Sequence, residues 1–184
     1  HRGPDAGGVW CDEQAGVALG HRRLSILDLS PAGNQPMHSA SGRYVLSYNG
    51  EIYNFRALQP RLAGCGYPFK GHSDTEVLLA AIDLWGVDEA LQQVDGMFAF
   101  ALWDRSERSL VLARDRLGKK PLYFGWSGAA FRVGSELKAL CAHPDFDRAI
   151  SRDALGQYVR FGWVPEPWSI FASLFIAVVV GTVF

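Results

Sequence analysis

Met97-Phe98-Ala99-Phe100-Ala101-Leu102-Trp103 is apolar at every position, and this lack of alternation decides the fold. A strand with one face in water alternates, whereas a strand apolar throughout is buried on both faces. The polar turn Asp104 to Ser109 leads into a second strand, Leu110-Val111-Leu112-Ala113, and so short a hairpin means antiparallel pairing. An antiparallel sheet buried on both sides needs a layer on each. Ser73-Asp74-Thr75-Glu76 is a capping box before Val77 to Trp85, a helix apolar around most of its circumference and stopped by Gly86. That helix is a natural cover. The arrangement that satisfies these demands is α+β, a four-layer αββα sandwich of two antiparallel sheets.

Outward from this centre, Val17-Ala18-Leu19 and Leu24-Ser25-Ile26-Leu27 read as short strands. Leu122 to Trp126 and Phe131 to Val133 read as a hairpin across Ser127-Gly128. Asn54 reads as the cap of a helix that starts at Phe55 and stops at Gly64 or Gly66, and a shorter helix is expected around Glu89 to Gln93. Glu136 to Leu140 and Asp153 to Val159 read as helices, the latter capped at Ser151 to Asp153. Asn49-Gly50, between two aromatic-rich runs, predicts a hairpin turn because both residues tolerate positive φ. Such a turn would also expose a backbone N–H and a carboxamide, two neutral donors suited to an oxyanion.

The 184 residues fit one domain. A net charge of -1 without a basic run argues against a nucleic-acid partner. Cys11, Cys65 and Cys141 are odd in number and widely spaced, which suits a reducing cytoplasm better than a disulfide framework. The five histidines show no metal-ligand spacing, and neither a Walker-type loop nor a GxGxxG is present. Trp168 to Phe184 carries no charge. A spanning helix wants about 20 apolar residues, so this run reads as a buried strand or an aberrant end before it reads as a membrane anchor.

Arg23, Asn49, Gly50, Glu51 and Asp74 each have a bland reading as surface charge, turn or cap. Together they form an amino-acid site. A guanidinium clamps a carboxylate, Asp74 and Glu51 suit an ammonium, and Asn49 with the Gly50 N–H suits a side-chain carbonyl.

His1-Arg2-Gly3-Pro4-Asp5, Gly20 to Asp28, Tyr48 to Asn54 and His72 to Val77 resemble the glutaminase domain of glutamine-hydrolysing asparagine synthetases. Gly96 to Ala101, Ala113 to Gly118 with Lys120 to Tyr123, and Ser135 to Leu140 continue the resemblance in order, to about Phe171. It implies a class II glutamine amidotransferase of the N-terminal-nucleophile hydrolase fold. Arg23 would bind the α-carboxylate of glutamine and Asp74 its α-ammonium. Glu51 and Leu24 would line the pocket, and Asn49 and Gly50 would form the oxyanion hole.

The family's nucleophile, a cysteine at the mature N-terminus, is expected upstream of His1, and the three internal cysteines are expected to be buried. The chain as written is therefore expected to bind glutamine weakly and not to hydrolyse it. Residues 1–164 would be a partial amidotransferase domain, and residues 165–184 a linker and aberrant apolar tail. No cofactor is expected in this chain. ATP and Mg²⁺ would act in a synthetase domain, a partner in the same polypeptide that amidates aspartate, and the resemblance allows a homodimer. Two rivals stay open: a glutamine-binding relative without catalysis, and a class II amidotransferase with another acceptor.

Overall fold

The computed structural model describes residues 3–24, 28, 30–177 and 181–183, the last three by backbone alone. In chain order its strands are β1 (Ala6–Asp12), β2 (Val17–Arg23), β3 (Met37–His38), β4 (Tyr44–Ile52), β5 (Gly96–Asp104), β6 (Ser109–Arg114), β7 (Tyr123–Ser127), β8 (Ala130–Gly134), β9 (Leu174–Ile176) and β10 (Gly181–Val183). The helices are α1 (Phe55–Gly64), α2 (Asp74–Trp85) and α3 (Val87–Gln93) after β4, then α4 (Leu137–Leu140) and α5 (Arg152–Phe161) after β8.

The apolar stretch is β5, inside an antiparallel sheet ordered β10-β6-β5-β4-β3. Both its faces are buried, for different reasons. Phe98, Phe100 and Leu102 join Leu46, Tyr48 and Ile52 of β4 beneath α1 and α2. Ala99, Ala101 and Trp103 face a second layer of strands. α2 is the main helical cover, with nine of its twelve residues buried. Ser73 caps it by accepting from Glu76 N at 3.2 Å. The Glu76 carboxylate does not reach back to Ser73; it accepts from Lys70 N and Gly71 N, both at 2.8 Å, so the cap also fixes the chain leading into the helix.

The second layer is split. Its first part is the β1–β2 hairpin, with β1 beside β3 (Trp10 meets the His38 ring edge-on at 6.1 Å) and β2 above β4 (Ser47 Oγ donates to Gly20 O at 3.0 Å). Its second part is ordered β8-β7-β9 and packs Phe124 and Val133 against Trp103 and Leu112. Among the described residues no strand lies between β2 and β8. Leu140, Phe146 and Leu174 pack on the outer side beneath α4, with Tyr123 and Phe171 beside them. α5 completes the outer layer thinly, and Leu155, Tyr158, Val159 and Phe161 stay exposed.

Several expectations need correction. Asn49-Gly50 is not a hairpin turn. β4 runs unbroken from Tyr44 to Ile52, pairing with β5 at every residue, so that Asn49 faces Ala99 and Gly50 faces Phe98. The turn preference is local, and nine consecutive pairings with a buried strand override it. Gly50 is a glycine because a Cβ there would lie 2.4 Å from Met97 O and 2.7 Å from Phe98 Cα. Asn54 occupies the cap position of α1 without capping it. Its side chain bridges to the segment before β5 instead, accepting from Asp95 N at 3.0 Å and donating to Gln93 O at 2.8 Å. Cys11 and Cys65 are exposed and only Cys141 is half-buried. Leu24 lies outside any strand, and the rest of the strand expected there falls on residues 25–27, outside the described residues. In the apolar end, Leu174–Ile176 pairs with β7 and Gly181–Val183 with β6. No helix among the described residues is long and apolar enough to cross a membrane.

Candidate active site

Alternation along β4 sets the site. Leu46, Tyr48 and Ile52 point to the helices, which leaves Ser47, Asn49 and Glu51 on the opposite face. That face is the floor of a cleft of about 1550 Å³ running under the gap between β2 and β8. Arg23, Leu24, Asn49, Gly50, Glu51 and Asp74 all line it. The structure thus brings together every residue singled out from the sequence.

The backbone of Gly50 matters as much as any side chain. Opposite it, Phe98 N donates to Asp115 Oδ2 at 3.2 Å and Phe98 O accepts from Asp115 N at 2.7 Å. Phe98 therefore spends both polar groups on the far edge of β5, and the Gly50–Phe98 pair is one of the non-hydrogen-bonded pairs of the ladder. The N–H of Gly50 consequently points to the outer edge of β4, which lines the cleft. Asn49 sits beside it, its Nδ2 3.5 Å from Ser135 Oγ after β8, a contact long enough for a ligand to displace.

Asp74 holds the next position on the same edge. Its Oδ2 accepts from Ile52 N at 2.9 Å and from Tyr48 OH at 3.0 Å, while Oδ1 accepts from Thr75 N at 2.9 Å. Burial, then the Asp74 carboxylate, push the Tyr48 hydroxyl far above its usual range, so Tyr48 remains a donor. The carboxylate thus bridges α2 to β4 and still lines the cleft.

Arg23, only 8% exposed, is more committed than the sequence suggests. It donates through Nη1 to Ser30 O and Asn34 Oδ1, both at 2.9 Å, and through Nη2 to Asp28 O. Gly33 permits this approach, since a Cβ there would lie 2.1 Å from the guanidinium. A guanidinium has five N–H donors, and these three bonds do not exhaust them. The Asp28 carboxylate is itself anchored, accepting from His72 N at 3.0 Å and Ser30 N at 2.8 Å. The backbone donor of His72, then Ser30, hold its pKa down at about 2. The loop gripping Arg23 is thereby tied to the segment before α2. Leu24 and Glu51 stand exposed at the rim.

Sequence reasoning missed His21, Gln35 and Ser135, all cleft-lining. His21 could have been found: the alternation Leu19, His21, Arg23 in β2 puts all three on the inner face. Nothing local marks Gln35 or Ser135. None of the three cysteines lines the cleft. No group of three or more His, Cys, Asp or Glu among the described residues is arranged to hold a metal ion.

With this geometry in view, the Glutamine amidotransferase domain family matches residues 1–182. The chain is 40% identical over 163 residues to "Asparagine synthetase [glutamine-hydrolyzing] 3" of Bacillus subtilis, a match covering 88% of this chain and 26% of that protein. It is 42% identical over 142 residues to "Amidase chry2" of Gibberella zeae, covering 77% and 21%. It therefore spans about a quarter of the length of these relatives. The solved glutamine phosphoribosylpyrophosphate amidotransferase of B. subtilis superposes with a TM-score of 0.59 over 90% of this chain and 34% of that one, at 24% identity. That likeness shows the fold, the αββα sandwich of N-terminal-nucleophile amidotransferases. By residues, fold and cleft together, this chain belongs to the glutamine amidotransferase domain family.

Proposed function

We propose that the cleft binds L-glutamine and that the chain forms the ammonia-releasing part of a glutamine-dependent asparagine synthetase. The observation that supports this most is the position of Gly50, whose N–H faces the cleft beside the Asn49 carboxamide. These are two neutral donors for the oxygen of an amide under attack. Asp74 lies two residues further along the edge, about 7 Å at strand spacing. An extended glutamine separates its side-chain carbonyl from its α-ammonium on that scale. The remaining N–H groups of Arg23 take the α-carboxylate, and Glu51 and Leu24 close the rim.

In this reading a thiolate attacks the amide carbon, and the carbonyl electron pair moves onto oxygen, where Asn49 and Gly50 hold it. The proton of the thiol, carried by the nucleophile's own α-amine, passes to the leaving nitrogen. The C–N bond breaks, ammonia departs and a thioester remains. Water then attacks that thioester, giving its proton to the returning thiolate and leaving glutamate. The described residues supply no cysteine to the cleft, so the nucleophile comes from a further segment, entering through the gap between β2 and β8. Aspartate, ATP and Mg²⁺ belong to a further domain, and no step in this cleft uses them. A second reading is glutamine binding without hydrolysis.

Titration calorimetry with L-glutamine tests the binding step. Asp74→Asn should weaken binding at least about tenfold. Equal affinity in the variant and the wild type would sink the pocket assignment. Extending the chain upstream of His1 to place a cysteine at the N-terminus should give ammonia release, which Asn49→Ala should cut by about 10²–10³-fold. Tight binding without release in the extended chain would favour the second reading.

A further inference from the structure

Beyond β3 the outer edge of β4 has no neighbouring strand among the described residues, since β3 pairs only with Val45 and Leu46. Side chains from three separate elements take its place. Gln35, itself buried, accepts from Tyr48 N through Oε1 at 2.6 Å. His21 Nε2 lies 3.0 Å from Tyr48 O. Asp74 takes Ile52 N. Gly50 stands in the middle of this row.

The His21 contact fixes a tautomer. A carbonyl only accepts, so Nε2 carries the proton and Nδ1 of the neutral ring is a lone-pair acceptor. Burial first, with the Arg23 cation acting the same way, lowers the pKa of His21 despite its bond to Tyr48. Nδ1 is then buried with no hydrogen-bond partner among the described residues. An orphaned buried acceptor is unfavourable and calls for a reason. What the arrangement preserves is the bond from Nε2 to Tyr48 O.

We propose that His21 and Gln35 are positioning residues for the Gly50 N–H. By occupying both backbone polar groups of Tyr48, two residues before Gly50, they replace a paired strand and keep the Gly50 N–H unpaired and aimed into the cleft. The oxyanion role of that N–H rests on the glutamine reading above; the positioning itself does not. Neither side chain needs to touch substrate.

Two measurements on ¹⁵N-labelled full chain decide it. Without ligand, relaxation at the Gly50 amide should report a rigid backbone in the wild type, clear loss of order in His21→Ala and in Gln35→Met, and recovery in His21→Gln, whose carboxamide N–H replaces the Nε2 donor. A Gly50 as ordered in both His21→Ala and Gln35→Met as in the wild type overturns the proposal, as does failure of His21→Gln to recover it. With L-glutamine, His21→Ala should bind about tenfold more weakly and His21→Gln within about twofold of wild type. If glutamine leaves the wild-type Gly50 resonance unmoved, the glutamine reading falls, while the ligand-free relaxation still decides the role of His21. Should His21→Ala fail to fold, Gln35→Met and His21→Gln carry the same comparison.

Discussion

Asp74 and Asp115 are both almost fully buried carboxylates, at 6% and 3% exposure, and each accepts a backbone N–H from the β4–β5 pair. They sit on opposite edges of it and do different work. Asp115 is closed by β5 and its own loop, since Phe98 N of β5 and Leu117 N, Lys119 N and Lys120 N of the loop all donate to it. Burial alone would raise its pKa, but the four donors outweigh that and hold it below the usual value. The adjacent Arg114 extends the same closure, donating to Lys120 O, Ala177 O and Glu166, each at 2.7 Å. Asp74 is held by β4 and α2 and still lines the cleft. A carboxylate saturated by a strand and its own loop builds the fold, whereas one shared among distant elements and left facing a cavity is available to a ligand.

Breaking the closed carboxylate should do the most damage. Asp115→Ala strands four backbone donors, that of Phe98 buried and the other three part-buried, and urea denaturation should show a loss of at least about 3 kcal/mol. A loss under about 1 kcal/mol would mean that the loop re-pairs without it. Acid should act next. The Asp28 pKa is held at about 2, below the ordinary carboxylate value, so its stabilisation is present above about pH 4 and is lost as pH falls towards 2. That term is on the order of 2 kcal/mol, and Asp28→Asn should flatten the stability profile across that window. His21 adds a shallower decline that begins at higher pH. Its lowered pKa means that the unfolded chain takes up its proton first as pH drops through about 6.5, so stability falls there too.

The open carboxylate sharpens the contrast. Asp74→Asn keeps the shape and should cost only about 1–2 kcal/mol in stability, with glutamine affinity falling much further in proportion. The smallest structural effect belongs to Asn49→Ala. Its long contact with Ser135 is too weak to support the fold, and thermal denaturation should stay within about 0.5 kcal/mol of wild type. A larger drop would make Asn49 a structural residue.

The layered fold was legible because it rests on patterns written locally: the uninterrupted apolar run of β5, the capping box before α2 and the hairpin turns. β4 was misread for the opposite reason. Asn49-Gly50 carries a turn preference in its own two residues, while the pairing that straightens it comes from a strand about fifty positions away. The site was legible as residue types, since Arg23, Asn49, Glu51 and Asp74 are the groups an amino acid needs. Its geometry was not. That the Gly50 N–H faces the cleft follows from the register with Phe98 and from Phe98 spending its polar groups on Asp115, and neither fact is local. Nor does the sequence around Arg23 show that Asp28, Ser30 and Asn34 hold its guanidinium.

The straightness of β4 also bears on how this protein ages. Asn-Gly is the dipeptide most prone to spontaneous deamidation, because an unhindered glycine nitrogen can swing round to attack the asparagine side chain and close a succinimide ring. In the extended ladder, with Asn49 opposite Ala99 and Gly50 opposite Phe98, that swing is denied while the strand is paired. Each excursion to the unfolded state lifts the protection. Conversion of Asn49 to aspartate would then set a negative charge where the proposed oxyanion site calls for a neutral donor, and mass spectrometry of that one position would record how often the chain has come undone.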